Sequence, residues 1–450
     1  MGFVMQICCR RILRLLTSVF LVVAVGVPAQ TLARPGWVGS GIGAEAWWRS
    51  AIFYRIDVPR FQDSDGDGTG DLAGVTQRLD YLQQLGVDAI VIAAPTDDNA
   101  FDGLLREASA RHVRIIIAFD SKTPATEVPG RARQWLTRGA AGISIDGPLI
   151  DTLVSLRDLR TLTDSFPGDR ILLAQPAPGQ TVPPQTPAEL IGGAIASPPP
   201  PPATPLLEGD SPSGDDPKSD GRRRIFAAQL LTSPGAVALS YGQELGLPAS
   251  STMQWTPTNV TRPKPEPEEE AKPAEPPPDP NVYGAFKPYV APKPVKKPPP
   301  PGTPPDPNSL PGFTTKSDAA NPTPTTANVA VEDTSPNSLL NYYRRLIQLH
   351  HDNPSVRQGA QVVFNHDAEN ARVWIRRALA GSTTAGNVIV TCNLGDQPLT
   401  LSLDADLATL HIRSGTLRPL AGSWTSTPIA QNSNHITLPP YSVFVGELHN

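Results

Sequence analysis

From Trp47 to about Ser250 the chain alternates short, nearly continuous apolar runs with stretches of helical periodicity, and this alternation restricts the fold more than any other feature. AIFYRIDV (51–58), VDAIVIAA (87–94), VRIIIAF (113–119), GISID (142–146), RILLAQ (170–175) and AVALSYG (236–242) read as strands buried on both faces. Between the first two, Leu72, Val75, Leu79 and Leu82 share one helical face, and Gly86 is placed to end the helix. FDGLLREASARH (101–112) and RARQWLTRG (131–139) repeat the pattern. Strand–helix alternation at this spacing specifies an α/β fold, either an open doubly wound sheet or a barrel. Six strands are legible where a closed barrel needs eight, so the expected barrel is incomplete.

Proline divides the chain. Of 450 residues 52 are proline, more than twice the usual frequency, and most lie between positions 171 and 330. Segments 176–220 and 256–330 therefore read as an insertion and a spacer that cannot bury enough apolar surface to order themselves. A proline-rich ligand for a partner domain is the other reading of such sequence. Order resumes with Ser335-Pro336 as N-cap and first-turn pair of a helix carrying Leu339, Tyr343, Leu346 and Ile347 on one face. From 361 to 450 the runs QVVFN, ARVWIRR, NVIVTCN, LTLSL, TLHIR and HITLPPYSVFVGEL predict an antiparallel β-sandwich.

At the N-terminus, Arg10, Arg11 and Arg14 precede an apolar stretch reaching about Val27, then small residues at Ala29 and Ala33. Residues 1–34 read as a secretory signal, and the protein as exported to the periplasm or medium; an uncleaved membrane anchor is the alternative. Beyond the signal only Cys392 remains, so no intrachain disulfide is expected. A formal charge of −5 and no basic stripe argue against nucleic acid as a partner. The sequence carries no phosphate-cradling glycine loop, no Cys-x-x-Cys and no Gly-x-Ser-x-Gly.

The most specific motif is FQDSDGDGTGDL (61–72). Asp63, Asp65, Asp67, Thr69 and Asp71 alternate, with Gly66 and Gly68 permitting tight curvature, so several oxygens aim at one point. Hard oxygen ligands suit Ca²⁺ better than Mg²⁺, with Thr69 offering its backbone carbonyl. The loop is not an EF-hand, because it lacks a closing Glu and follows a strand.

This loop and its flanks resemble the first strand, calcium loop and first helix of glycoside hydrolase family 13, the α-amylase family, in its oligo-1,6-glucosidase, maltase and trehalose synthase branch. LLTSPGAVALSYGQELGLP (230–248), MQW (253–255), SLLNYYRRLIQLHHDNPSVRQG and LPPYSVFVGEL (438–448) resemble later parts of the family in the right order. The resemblance implies a (β/α)₈ barrel over 35–255, with its last helix at 331–360 and a β-domain at 361–450. It implies retaining α-glycosidase chemistry, which needs two carboxyls flanking the sugar about 5–5.5 Å apart.

Carried over motif by motif, the resemblance finds a depleted site. Asp146 falls on the nucleophile of GAAGISIDG, while Ser144 stands where an Arg is expected, removing the cation beside it. Gln175 ends the strand that should end in the acid/base Glu, and an amide has no proton to give at neutral pH. The third motif, Asn-His-Asp, has no counterpart at its best placement, Ile195–Pro199; Ala118, Lys122 and Thr123 replace an Asp and an Asn-His pair. The loop after the second strand is shortened to about APTDDNA. Asp97, Asp98, Asp120 and Glu244 are the carboxylates left to rebuild a site. The expectation is a catalytically impaired homologue binding α-glucan or oligosaccharide, or a protein partner; a rearranged glycosidase or transglycosidase and a calcium-stabilised structural protein are the alternatives.

Overall fold

The computed structural model describes residues 46–150, 156–177, 180, 188–194, 204–209, 212, 217–248, 251–256, 327–364, 366, 369–379, 386–423 and 430–449. All lie in the unit Gly39–Asn450. The signal at 1–34, the placement Ile195–Pro199 and nearly all of segment 256–330 fall outside the described residues. Among the described residues no helix is long and apolar enough to cross a membrane.

Eight parallel strands close into a barrel in chain order: β1 (Ile52–Ile56), β2 (Ala89–Ala93), β3 (Arg114–Phe119), β4 (Gly142–Asp146), β5 (Ile171–Gln175), β6 (Leu190–Ala194), β7 (Thr204–Glu208) and β8 (Ala236–Ser240). The barrel is complete, which corrects the count of six. Both missed strands, β6 and β7, lie inside 176–220, so that segment is not merely an insertion. Around the barrel stand α1 (Val58–Phe61), α2 (Leu72–Gln77), α3 (Leu79–Leu85), α4 (Asp98–Ala110), α5 (Val128–Arg138), α6 (Leu156–Asp164), α7 (Pro217–Thr232), α8 (Val329–Thr334), α9 (Leu339–Asp352) and α10 (Pro354–Gln358).

The strands alternate strictly. Ala51, Phe53, Ala89, Val91, Ile116, Ile171, Leu173, Leu190, Leu206, Ala236 and Ala238 form one buried cluster, the barrel interior. Their neighbours Ile52, Tyr54, Ile90, Ile92, Ile115, Ile117, Ile143, Ile145, Leu172, Leu207, Val237 and Leu239 pack outward with the helices. Interior filling by side chains from successive strands is what holds such barrels shut. Val75, Leu79 and Leu82 are buried as the periodicity predicts, although the helix breaks at Arg78. Gly86, at φ 95°, closes it with N–H bonds to Leu82 and Gln83 carbonyls. The N-cap of α9 is Ser338, whose hydroxyl accepts from Asn341 N at 3.1 Å; Ser335 instead ends α8.

The C-terminal region is antiparallel as expected. β9 (Gln361–Phe364), β10 (Ala371–Arg376), β11 (Val388–Asn393), β13 (Thr416–Gly422), β14 (Gln431–Asn432) and β16 (Ser442–His449) form one sheet ordered β14-β13-β16-β11-β10-β9. β12 (Leu399–Leu401) and β15 (Ile436–Leu438) form a second. TLHIR is not a strand: it follows from the end of α11 (Asp404–Thr409), and the strand at this place is β13. Cys392 is buried in the six-stranded sheet as a free thiol.

Candidate active site

The inward alternation of the strands decides which side chains meet at the C-terminal end of the barrel, where the loops after the strands supply active sites in this architecture. On β1 the interior face runs Ala51, Phe53, Arg55; on β4 it runs Gly142, Ser144, Asp146. On β5 it runs Ile171, Leu173, Gln175, and on β7 Leu206, Glu208. Asp120 follows β3 on the face of Ile116 and Ala118. Arg55, Asp120, Asp146, Gln175 and Glu208 are therefore the outermost inward positions of five strands.

Their hydrogen bonds confirm the convergence. Arg55 crosses the mouth from β1 and donates through Nη2 to the Gln175 side-chain oxygen, and the same nitrogen lies 3.4 Å from Glu208 Oε2. The Gln175 amide nitrogen donates to Glu208 Oε1. Gln175 pairs in register with Asp146 on the adjacent strand. The Ser144 hydroxyl donates to Asp146 Oδ1 at 2.9 Å. Burial pushes the Asp146 carboxyl above the usual carboxylate range, while Arg55 and the Ser144 hydroxyl pull it down and Asp120 and Glu208 push it up. Asp120 Oδ1 accepts the Lys122 backbone N–H at 3.0 Å.

Asp146 and Gln175 thus stand together at the mouth. Ser144 carries no charge, and the guanidinium that crosses the mouth, Arg55, is held by Gln175 and Glu208. Glu208 was missed because 176–220 was read by its prolines. Its signal was the alternation in TPLLE, where Leu206 and Glu208 share a face. Of the other carboxylates considered, Asp97 caps α4 and Asp98 pairs with Arg138 at 2.5 Å, both serving the helical layer. Glu244 is fully buried behind the barrel wall, accepting from Tyr54 Oη at 2.7 Å and Tyr81 Oη at 2.5 Å.

The acidic loop between α1 and α2 curls through Gly66 (φ 85°) and Gly68 (φ 93°), conformations that glycine adopts without strain. One carboxylate oxygen each from Asp63, Asp65 and Asp71 lies within 4.8 Å of the others. Asp63 also accepts from Gly66 N at 2.5 Å and Gly68 N at 3.0 Å, and Asp71 caps α2 through Gly74 N at 2.6 Å. Asp67 stands outside that trio, accepting from Thr69 N at 2.7 Å. Three converging carboxylates repel one another unless neutralised, and an all-oxygen donor set of this kind fits a hard cation.

A closed parallel barrel with an antiparallel β-domain and a polar mouth built from β1, β4, β5 and β7 defines the class: a (β/α)₈ barrel with a C-terminal β-domain. The family model described as alpha amylase, catalytic domain, matches residues 56–103. A glucan 1,6-alpha-glucosidase from Streptococcus pneumoniae serotype 4 is 39% identical over 95 residues, covering 16% of this chain and 18% of that one. An oligo-1,6-glucosidase from Bacillus sp. (strain F5) is 50% identical over 60 residues, 12% of each chain. The chain thus aligns with less than a fifth of the length of these curated relatives. In structure it is similar to an inactive double mutant of MutB in complex with isomaltulose, with TM-score 0.62, 14% identity and coverage of 90% of this chain and 100% of that one. A Bacillus licheniformis trehalose-6-phosphate hydrolase mutant gives TM-score 0.62, 13% identity and the same coverage. Over residues 56–103 the chain is similar to the α-amylase family, and its fold is that of these solved structures.

Proposed function

We propose that this is an exported member of the family whose barrel mouth binds α-glucosidic saccharide without hydrolysing it efficiently. The carrying observation is Gln175. It occupies the inward end of β5 beside Asp146, and both ends of its amide are engaged, by Arg55 and by Glu208. Cleavage of a glycosidic bond needs a proton delivered to the leaving oxygen, and an amide has none to give. Glu208 is a poor substitute, because its carboxylate is already engaged, one oxygen by the Gln175 amide N–H and the other by Arg55. Asp146 and Asp120 remain as hydrogen-bond acceptors for sugar hydroxyls. An amide-for-carboxyl exchange, Glu to Gln, is one of two changes in a MutB double mutant described as inactive, whose structure is similar to this one at TM-score 0.61.

Asp63, Asp65 and Asp71 are the side chains that would hold Ca²⁺, with Asp67 and the Thr69 carbonyl completing the set. The ion would supply charge neutralisation and fix the chain between α1 and α2; it takes no part in bond cleavage.

The rearranged glycosidase remains the second reading, favoured by Glu208, a further carboxylate that the barrel mouth brings against Gln175. Product release from a maltooligosaccharide panel separates the two. Wild type should release nothing above background over a calcium-replete pH series, and Gln175→Glu should gain hydrolysis that a further Asp146→Asn change removes. Wild-type turnover abolished by Asp146→Asn would overturn the proposal. So would the absence of measurable binding of every panel member by calorimetry.

A further inference from the structure

The contacts of Arg55 cross the barrel axis. In a closed ring of eight strands β5 stands four places from β1 in either direction, so the bond from Arg55 Nη2 to the Gln175 side-chain oxygen joins opposite walls of the mouth. From there the Gln175 amide nitrogen donates to Glu208 on β7. Glu208 Oε2 lies 3.4 Å from Arg55 Nη2, which closes the three side chains into a ring of contacts. The Arg55 and Glu208 side chains remain 22% and 25% exposed, so this bridge lies at the opening, above the packed layer of Phe53, Leu173 and Leu206.

Gln175 reaches β7 by lying over β6. A Cβ at Gly192 would stand 2.2 Å from its Oε1 and 2.8 Å from its Nε2, so the path exists because residue 192 has no side chain. The Arg55 Nε–H is buried and has no acceptor among the described residues, and a desolvated donor of this kind weakens the seat of its own side chain. An arginine drawn across the mouth with one donor unsatisfied can be dislodged by a competing ligand. Asp146 is the register partner of Gln175 on the adjacent strand. A sugar ring entering the mouth to meet Asp146 therefore needs the space that the guanidinium holds.

We propose that the Arg55–Gln175–Glu208 bridge is a latch over the mouth: bridge and ligand compete for one space, and saccharide reaches Asp146 only when the guanidinium has left the axis. The inference rests on the reading that the mouth binds saccharide, and adds how that site is held shut. A ligand that binds only the open form has its affinity reduced by the fraction of molecules that are open. A latch closed about ten times as often as it is open weakens binding about tenfold.

The test is calorimetry of the full chain and two variants with the maltooligosaccharide panel. Arg55→Ala removes the span outright and should tighten binding about tenfold. Gly192→Ala changes no charge: its methyl displaces the flexible end of Gln175 and leaves the Arg55–Glu208 pair, so binding should tighten by a smaller factor. NMR of protein carrying ¹⁵N-arginine reads the bridge without any sugar. The Arg55 Nη signals, identified by their loss in Arg55→Ala, should show hindered rotation in wild type that saccharide relieves. Unchanged or weaker binding in folded Arg55→Ala, or a freely rotating Arg55 guanidinium in unliganded wild type, overturns the latch and leaves saccharide binding standing. Saccharide bound by neither wild type nor variant sinks the binding reading and the latch together. Thermal unfolding checks that each variant is folded; if Arg55→Ala does not fold, the affinity of Gly192→Ala decides, and an unchanged value overturns the latch.

Discussion

Glu332 makes stability depend on pH in a window that most carboxylates have left. It lies in α8, and its Oε2 accepts the Leu340 backbone N–H at 2.9 Å, in the first turn of α9. Burial pushes its carboxyl from 4.5 to about 7; Glu244 and Asp220 push the same way, against the Leu340 N–H and Arg224. The folded state therefore holds a proton that the unfolded chain has released. The stability this confers is fully present below about 4.5 and is lost as pH rises through about 7. At about 1.4 kcal/mol per pH unit, that interval is worth about 3 kcal/mol. Urea unfolding of wild type and Glu332→Gln between pH 4 and 8 isolates it, because the amide mimics the protonated acid at every pH. Wild type should fall relative to the variant by about 3 kcal/mol across the series. The difference is needed because His350 slopes the other way. Buried between the Leu231 and Ser50 carbonyls, it is pushed down to about 4, and its contribution is lost as pH falls through that value. A wild-type-minus-variant difference that stays flat from pH 4 to 8 would refute the argument.

Two further predictions concern the loop and the proline-rich segment. Chelation should lower the melting temperature and added Ca²⁺ restore it, since a ligand of the native state stabilises by about 2.7 kcal/mol at a hundredfold excess over Kd. Asp63→Asn, which keeps one of the two acceptor oxygens that Gly66 and Gly68 use, should remove the response, and a chelator-insensitive wild type would sink the site. The segment 257–326 leaves and returns at one place: Val329 N donates to Gln254 O at 3.1 Å and Ala330 N to Trp255 O at 3.0 Å. Replacing it by a short Gly-Ser linker should leave the melting temperature unchanged or higher, because each halving of a closed loop saves about 0.6 kcal/mol. Loss of cooperative unfolding in the deletion would show that the segment supports the fold.

The strands that were legible are the ones with continuous apolar runs: VDAIVIAA and VRIIIAF leave no other element that can bury them. β6 and β7 escaped because their inward and outward positions include Gly192, Gly193 and Pro205, residues of low strand propensity, beside long proline runs. Compositional reading averages over a window and erases a five-residue strand. TLHIR failed differently. Its alternation imitates a strand, but Asp404 and Asp406 begin a short helix whose Leu407 is fully buried, and packing decided the contest. In the site, Asp146 and Gln175 were readable because each ends a recognisable strand on an inward parity. Arg55 was on the page with the same parity as Phe53, yet its partners lie 120 and 153 residues away. No local pattern announces a contact across a barrel.

The neighbours of Gln175 also explain why an amide is stable there. It has one donor end and one acceptor end, and it meets one carboxylate and one guanidinium. An ionised carboxylate at this position would satisfy Arg55 but confront Glu208, two like charges within hydrogen-bond distance. One of that pair would have to keep a proton well above the usual carboxylate range. A held proton is what a general acid requires. The contacts that accommodate Gln175 in the native chain are therefore the ones that would make a carboxyl restored by Gln175→Glu a proton donor at the working pH. On this geometry Gln175→Glu, a single exchange of oxygen for nitrogen, is the variant expected to report whether the mouth can supply a proton.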